Sequence, residues 1–176
     1  MTHDLRPALF LDRDGTLNVD TGYLHEIDKL EWIDGAIDCI RNFNARNYYV
    51  IVVTNQSGIA RGYYTEDDMH QLHRHMASVL EAADAHVDGW YHCPYHPEGK
   101  VDAYRKDSFD RKPKPGMLLH AMGDFPINRE RSFLIGDSQR DVDAARAAGV
   151  GGFLYSSGNL ATFAEWALAD FESGAR

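Results

Sequence analysis

The chain has 176 residues, 44% of them hydrophobic and 26% charged, with a formal net charge of −9. That length suits one domain with a sizeable core, so 1–176 is expected to be a single domain. The acidic balance argues against nucleic acid and anionic membranes as partners, and no apolar run approaches the roughly 20 residues of a membrane span. Met1 to Pro7 lacks the pattern of a secretory signal, and a cytoplasmic protein is expected. The two cysteines, Cys39 and Cys93, do not suggest a disulfide framework.

Pro7 to Leu11 is a short apolar run ending in acidic residues and reads as a buried strand. Gly35 to Arg46 carries Ala36, Ile37, Ile40 and Phe43 at helical spacing. Tyr48 to Val53 is apolar throughout, as in a strand covered on both faces. Thr65 followed by Asp68 opens a helix with a capping-box start, and Met69, Leu72, Met76, Val79 and Leu80 line one side of it. His70, His73 and His75 on that helix read as a solvated face. Val87 to Cys93 and Ser132 to Ile135 read as further strands. A helix from Arg140 stops at Gly149, and Gly152 to Tyr155 makes the last strand. Leu160, Phe163, Ala164, Ala167, Leu168 and Phe171 form a final helical stripe that fits core packing. The alternation predicts an α/β fold, a parallel sheet with helices on both faces and no large cap domain. The stretch 94–115, broken by Pro94, Pro97, Gly99, Pro113 and Pro115, is predicted to be a long irregular loop, the kind that in a compact domain serves a function.

In open α/β sheets ligands bind beyond the carboxyl ends of the strands. The residues that follow the predicted strands are polar clusters: Asp12-Arg-Asp-Gly-Thr16, Thr54-Asn-Gln-Ser-Gly58 and Gly136-Asp-Ser-Gln-Arg-Asp141. Arg111-Lys-Pro-Lys-Pro115 precedes a helix on the same rim. Carboxylates, a hydroxyl with amides, and positive charge suit phosphoryl transfer, which rests on positioning and charge neutralisation. Asp12 is the candidate nucleophile, because a carboxylate can accept a phosphoryl group and pass it to water. Asp14, two residues on, is placed to protonate the leaving oxygen and then to activate water. Asp12 and Asp137, with a backbone carbonyl near Asp14, can hold Mg²⁺, and Asp141 can orient its waters. Lys112 balances the carboxylates, and Thr54 with nearby amides can bind the phosphate oxygens.

With those motifs the chain resembles the haloacid dehalogenase superfamily of phosphatases, in Asp12-Arg-Asp-Gly-Thr16, Thr54, Lys112 and Gly136-Asp137 with Asp141. The resemblance implies a Rossmann-like fold, Mg²⁺ and hydrolysis through an aspartyl phosphate. Arg13 to Asn18, Asp20 to Tyr23, Thr54 to Gly62 and Arg111 to Met117 are similar to a branch acting on sugar bisphosphates. That branch implies a small-molecule sugar phosphate, a heptose 1,7-bisphosphate cut at the 7-phosphate, as substrate. Histidinol phosphate or a broad range of sugar phosphates are the alternatives, and a catalytically silent binding module is the rival from another class. The resemblance places Asp20, Thr21, Gly22, Tyr23, Asn55, Arg61 and Arg111 on the substrate side and implies that Lys112 stabilises the phosphoryl group. A monomer is expected.

One segment departs from that branch, whose members carry a structural zinc in the long loop on a Cys-x-His and a Cys-x-Cys. Here those positions read Cys93-Pro-Tyr95 and Ser108-Phe-Asp110. Zinc is therefore not expected, and Tyr95, Tyr104 and Phe109 are expected to anchor the loop instead. A shifted zinc set of His92, Cys93, His96 and Asp110 is the alternative.

Overall fold

The computed structural model describes residues 5–174. Strand β1 (Ala8–Leu11) is buried along its whole length. Its side chains alternate, so that Leu9 and Leu11 join one core while Ala8 and Phe10 join another. The same division holds in β2 (Tyr49–Asn55), with Val50 and Val52 on the first side and Ile51 and Val53 on the second. Strands that are apolar on both faces need cover on both faces, which βαβ crossovers supply.

With β3 (Gly89–Cys93), β4 (Phe133–Gly136) and β5 (Gly151–Leu154), they form one sheet in the order β3-β2-β1-β4-β5. Every pairing is parallel. Helices α1 (Ala36–Ala45), α3 (Glu66–Ala82) and α6 (Leu160–Ser173) cover the first face. Helices α4 (Gly116–Asp124) and α5 (Gln139–Ala148) cover the other. The chain runs outward from β1 to β2 and β3, then returns to place β4 on the other side of β1. That reversal puts the topological switch point at the carboxyl ends of β1 and β4. Among the described residues no helix is long and apolar enough to cross a membrane.

The predicted elements are present within a residue or two of their expected bounds, and the capping box opens α3, with Asp68 N–H donating to Thr65 Oγ1 at 3.1 Å. Three local features go beyond the expectations or against them. Residues beyond β2 close into a short helix, α2 (Ser57–Arg61), whose Gly58, Ile59 and Ala60 are buried. Of the three histidines on α3, His70 is exposed and His75 half-buried, but His73 is only 6% exposed. Position 73 lies one turn from Met69 and beside Leu72 and Met76, so it turns inward with them.

The third feature lies in the stretch 94–115, which is irregular apart from a 3-10 turn at Asp102–Tyr104. Tyr95 and Tyr104 do anchor it, their ring centroids 5.9 Å apart, with Lys106 Nζ 3.8 Å from the Tyr95 ring centre. Tyr104 also donates its hydroxyl to Glu66 Oε2 at 3.0 Å, which ties the loop to the start of α3. Phe109, by contrast, is 57% exposed, and what it contributes is its main-chain carbonyl, which accepts from Gly116 N–H at 3.1 Å. The shifted zinc set does not assemble either: His92 is paired with Glu66 at 2.7 Å, His96 faces Arg61 at 3.4 Å, and Asp110 bonds His120 at 2.9 Å.

Candidate active site

Strand β1 delivers Asp12 to the switch point, where its N–H donates to Ile135 O of β4 at 3.1 Å. The chain must then turn sharply over the end of β4. Gly15 makes that turn at φ +82, and a Cβ there would overlap the Asp137 carboxylate. Only glycine satisfies both demands, so the β1 loop can sit directly on the β4 loop.

This close approach gathers Asp12, Asp137 and Asp141, whose carboxylate oxygens lie within 4.8 Å of one another. Lys112 enters the group from the long loop. Its Nζ lies 2.9 Å from Asp12 Oδ1, 2.6 Å from Asp141 Oδ1 and 2.7 Å from Val53 O, with the side chain 1% exposed. A lysine this deep needs a fixed backbone, and Asn55 supplies it. The Asn55 amide donates to Lys112 O at 3.1 Å and accepts from Lys112 N–H at 3.0 Å. Asn55, expected on the substrate side, thus uses its side chain to hold the lysine. Asp141, at the start of α5, also accepts from Ser138 N–H at 3.0 Å.

One ammonium among these carboxylates leaves an excess of negative charge. Burial first, and then Asp141 and Asp14, push the Asp12 carboxyl up to about 7 although Lys112 pulls the other way. Burial also raises Asp137, with Asp141 adding to it. The cluster is built to gain from a cation.

Asp14 is held apart from this group by separate partners. Its Oδ1 accepts from Arg13 Nη2 at 3.0 Å and from Asn18 Nδ2 at 3.0 Å, and its Oδ2 accepts from Gln56 Nε2 at 3.0 Å. Gln56 Nε2 also donates to Thr54 Oγ1 at 2.8 Å, while its Oε1 accepts from Tyr64 OH at 2.5 Å. Thr54 is 1% exposed at the end of β2. The carboxylate of Asp14 is outside the three-carboxylate cluster, in keeping with the expectation of a backbone carbonyl there rather than this side chain. Gln56, Asn18 and the buried Arg13 are site residues that the sequence reading did not single out. Gln56 directly follows the strand-ending Thr54-Asn55, a position that could have marked it.

A cleft of about 370 Å³ opens over these groups. Asp12, Asp14, Lys112 and Asp137 line it, together with Asp20, Gly22, Tyr23 and Asn55 from the expected substrate side. Thr21, Arg61 and Arg111 are not on its wall. Tyr23 holds φ +57 and packs edge-on against Tyr63, ring centroids 4.8 Å apart. Arg140 adds a positive group to the wall. Off the wall, Arg61 Nε and Arg111 Nη1 are buried with no hydrogen-bond partner among the described residues. Burial, and then the neighbouring Arg140 and Arg61, hold Arg111 below its ordinary value even though Cys93 and Asp107 oppose them.

A parallel sheet with paired aspartates at its switch point and a buried lysine facing the first of them defines a phosphohydrolase, and comparison with known proteins places it. The chain belongs to the haloacid dehalogenase-like (HAD-like) hydrolases, among their phosphoric monoester hydrolases. A family model described as HAD-hydrolase-like matches residues 109–170. The chain is 44% identical over 170 residues to the D-glycero-β-D-manno-heptose-1,7-bisphosphate 7-phosphatase of Rhodopseudomonas palustris, covering 97% of this chain and 94% of that one. It is 50% identical over 145 residues to the protein of the same name from Escherichia coli K12, covering 82% of this chain and 76% of that one. Among solved structures, a HAD-like phosphatase of Mesorhizobium loti superposes with a TM-score of 0.85 at 32% identity, covering 96% of this chain and 87% of the other. The D,D-heptose 1,7-bisphosphate phosphatase of B. bronchiseptica, solved with magnesium and phosphate, gives 0.78 at 26% identity, covering 96% and 98%.

Proposed function

We propose that the chain, acting as a cytoplasmic monomer, hydrolyses D-glycero-D-manno-heptose 1,7-bisphosphate at its 7-phosphate through an aspartyl phosphate on Asp12. The observation that carries this reading is the presence of two separate positive stations around one cleft. Lys112 faces the reacting phosphate at Asp12. Arg140, on the cleft wall with Arg111 behind it, suits a second phosphate. Relatives at 44% and 50% identity bear the name of this activity.

Asp12 attacks the phosphorus with one carboxylate oxygen while the bond from phosphorus to the sugar oxygen breaks. Asp14 gives its proton to the departing oxygen. Asp14, now a carboxylate, then takes a proton from the water that attacks the aspartyl phosphate, and inorganic phosphate leaves with Asp12 restored. Lys112 stays on Asp12 Oδ1 and favours its ionised form. Thr54 keeps a hydroxyl proton that it can donate to a phosphate oxygen.

The residues present fit Mg²⁺. Asp12, Asp137 and the main-chain carbonyl of Asp14 would hold it, with Asp141 beside them, because hard carboxylate and carbonyl oxygens suit that ion and the cluster is short of positive charge. When bound, it neutralises charge on the phosphate oxygens. The long loop does not fit a structural zinc. Cys93 is the one thiol at the positions of interest, and the other three are Tyr95, Ser108 and Asp110.

Phosphate release with Mg²⁺ tests the reading on both anomers of the heptose bisphosphate, histidinol phosphate, fructose 1,6-bisphosphate and 4-nitrophenyl phosphate. A strong preference for a heptose bisphosphate is expected. Even turnover across the panel would remove the substrate assignment and keep the mechanism, and silence on every ester would remove both.

A further inference from the structure

Arg13 separates the two aspartates of the first motif and is wholly buried, with 0% exposure. A guanidinium does not lose its proton in a protein, so each of its N–H groups needs an acceptor there. Nη2 donates to Asp14 Oδ1 at 3.0 Å and to Leu24 O at 2.8 Å, and Nε reaches Asp14 Oδ1 at 3.3 Å. Among the described residues Nη1 reaches a single partner, His73 Nε2 of α3, at 3.0 Å.

That contact determines the state of the histidine. Arg13 can only donate, so His73 Nε2 must accept and the ring must be neutral with its proton on Nδ1. Burial, reinforced by Arg13 and then by His92 and His70, presses the His73 pKa down to about 2. The ring is also fixed in plane, stacked on Trp90 with centroids 4.6 Å apart and an interplanar angle of 27°. A solvated surface histidine would have none of these constraints.

We propose that His73 is a positioning residue for phosphoryl transfer: by accepting from Arg13 Nη1 it fixes the guanidinium that pins Asp14 Oδ1. The inference rests on the role proposed for Asp14 above. Oδ1 accepts from Arg13 and Asn18, whereas Oδ2 accepts from Gln56 alone, so the transferable proton belongs on Oδ2. Without an acceptor at position 73, Nη1 is left buried and unpaired, and the guanidinium rotates to recover a partner at the expense of Asp14. The step that suffers is proton delivery to the sugar oxygen as its bond to phosphorus breaks and the bond from phosphorus to Asp12 forms.

Two esters separate this role from a structural one. A sugar alkoxide needs the Asp14 proton to leave, whereas 4-nitrophenolate leaves without it. The ratio kcat/KM covers events up to the aspartyl phosphate, so it omits the later use of Asp14 as a base. His73→Phe keeps a flat ring against Trp90 but has no acceptor. It should lower kcat/KM about 10- to 100-fold on the sugar phosphate that the wild type cleaves fastest, and less than about threefold on 4-nitrophenyl phosphate. His73→Gln, which retains a carbonyl acceptor, should stay within about threefold of wild type on both esters. His73→Asn, whose amide stops short of Arg13, should repeat the Phe pattern, and it carries the test if the Phe variant does not fold. Equal losses on both esters, or no loss on either, would overturn the inference. A wild-type protein inert on every ester would overturn the phosphatase reading and this inference with it, whereas a failure confined to the heptose sugar touches neither Asp14 nor His73.

Discussion

The rim of the sheet and the loop that overhangs it obtain their order by opposite electrostatic means. At the ends of β1 and β4, Asp12, Asp137 and Asp141 crowd around one ammonium, and the Asp12 carboxyl is driven up to about 7, mainly by burial. Along most of the stretch 94–115, Arg111 excepted, charges and hydroxyls meet matching partners. Lys114 pairs with Asp107 at 2.5 Å, Tyr104 with Glu66 at 3.0 Å, and Lys106 covers the Tyr95 ring. The rim is held in a conflict that the surrounding fold contains and a cation would relieve, and the loop is held by matched contacts within itself and to α3. Groups placed for chemistry cost stability, and that cost is met elsewhere in the structure.

The largest effect that could break this comparison is on activity. Asp12→Asn should lower kcat on the order of 10⁴-fold or more, as expected for removal of a nucleophile. Its far-UV circular dichroism should match wild type. Retained turnover would show that the rim's conflict serves some other purpose.

Next comes the loss of the one ammonium. Lys112→Met removes one partner of a buried ion pair, a change that costs about 3–5 kcal/mol in comparable sites. Urea unfolding without Mg²⁺ should show that loss at pH 8. It should shrink as the pH falls toward 6, because Asp12 then takes up a proton and no longer needs its partner. A loss independent of pH would mean that Lys112 acts through packing alone.

A smaller effect follows from the same carboxyl in the wild-type protein. Its folded pKa of about 7 lies above the ordinary aspartate value of 3.8, so below pH 7 the folded state binds a proton that the unfolded chain does not. Metal-free protein should therefore gain stability from Asp12 as the pH falls from 7 toward 4 and have none of that gain above 7. In Asp12→Asn this contribution should vanish, and the variant's Tm at pH 8 in EDTA should exceed the wild type's by several degrees. His73 acts in the opposite direction, with a folded pKa near 2 that favours the unfolded state below pH 6.5. The difference between wild type and Asp12→Asn isolates the aspartate, because His73 is common to both. A wild-type protein that melts no lower than the variant at pH 8 would mean that no charge conflict exists there.

The two regions were also unequally legible in the sequence. Asp12, Asp14, Asp137 and Lys112 could be read directly, because each follows a strand or precedes a helix and the strand ends define the rim. The fold could be read for the same reason, from apolar runs whose partners are implied by alternation. The groups that hold those residues in place could not. Gln56 reaches Asp14 across 42 residues and His73 reaches Arg13 across 60, and no local pattern announces either contact. His73 was read as solvated by association with His70 and His75, although its spacing from Met69 and Met76 already placed it on the apolar side. Asn55, which the resemblance puts on the substrate side, does line the cleft, but its amide also holds a residue 57 positions away, which nothing local announces. In the loop the tyrosines were legible as anchors by their size, but Phe109 was not legible as exposed, since no periodicity says which way an irregular segment turns.

The smallest effect concerns what replaces metal in that loop. If aromatic and hydrogen-bonded contacts hold it, each makes only a modest contribution. The Tyr104 hydroxyl accounts for one bond to a half-buried carboxylate, and Tyr104→Phe should cost about 1 kcal/mol. For a domain of this size that is a fall in Tm of about 2–4 °C. Removing the hydroxyl leaves the ring against Tyr95, so the loop should stay ordered and Mg²⁺-dependent turnover should persist. A chelator selective for transition metals, such as 1,10-phenanthroline, should leave the Tm of wild type and variant alike unchanged. A chelator-induced drop larger than that caused by Tyr104→Phe would mean that Cys93 and its neighbours hold a metal after all, and the contrast between a charge-starved rim and a loop held without metal would fail at its second half.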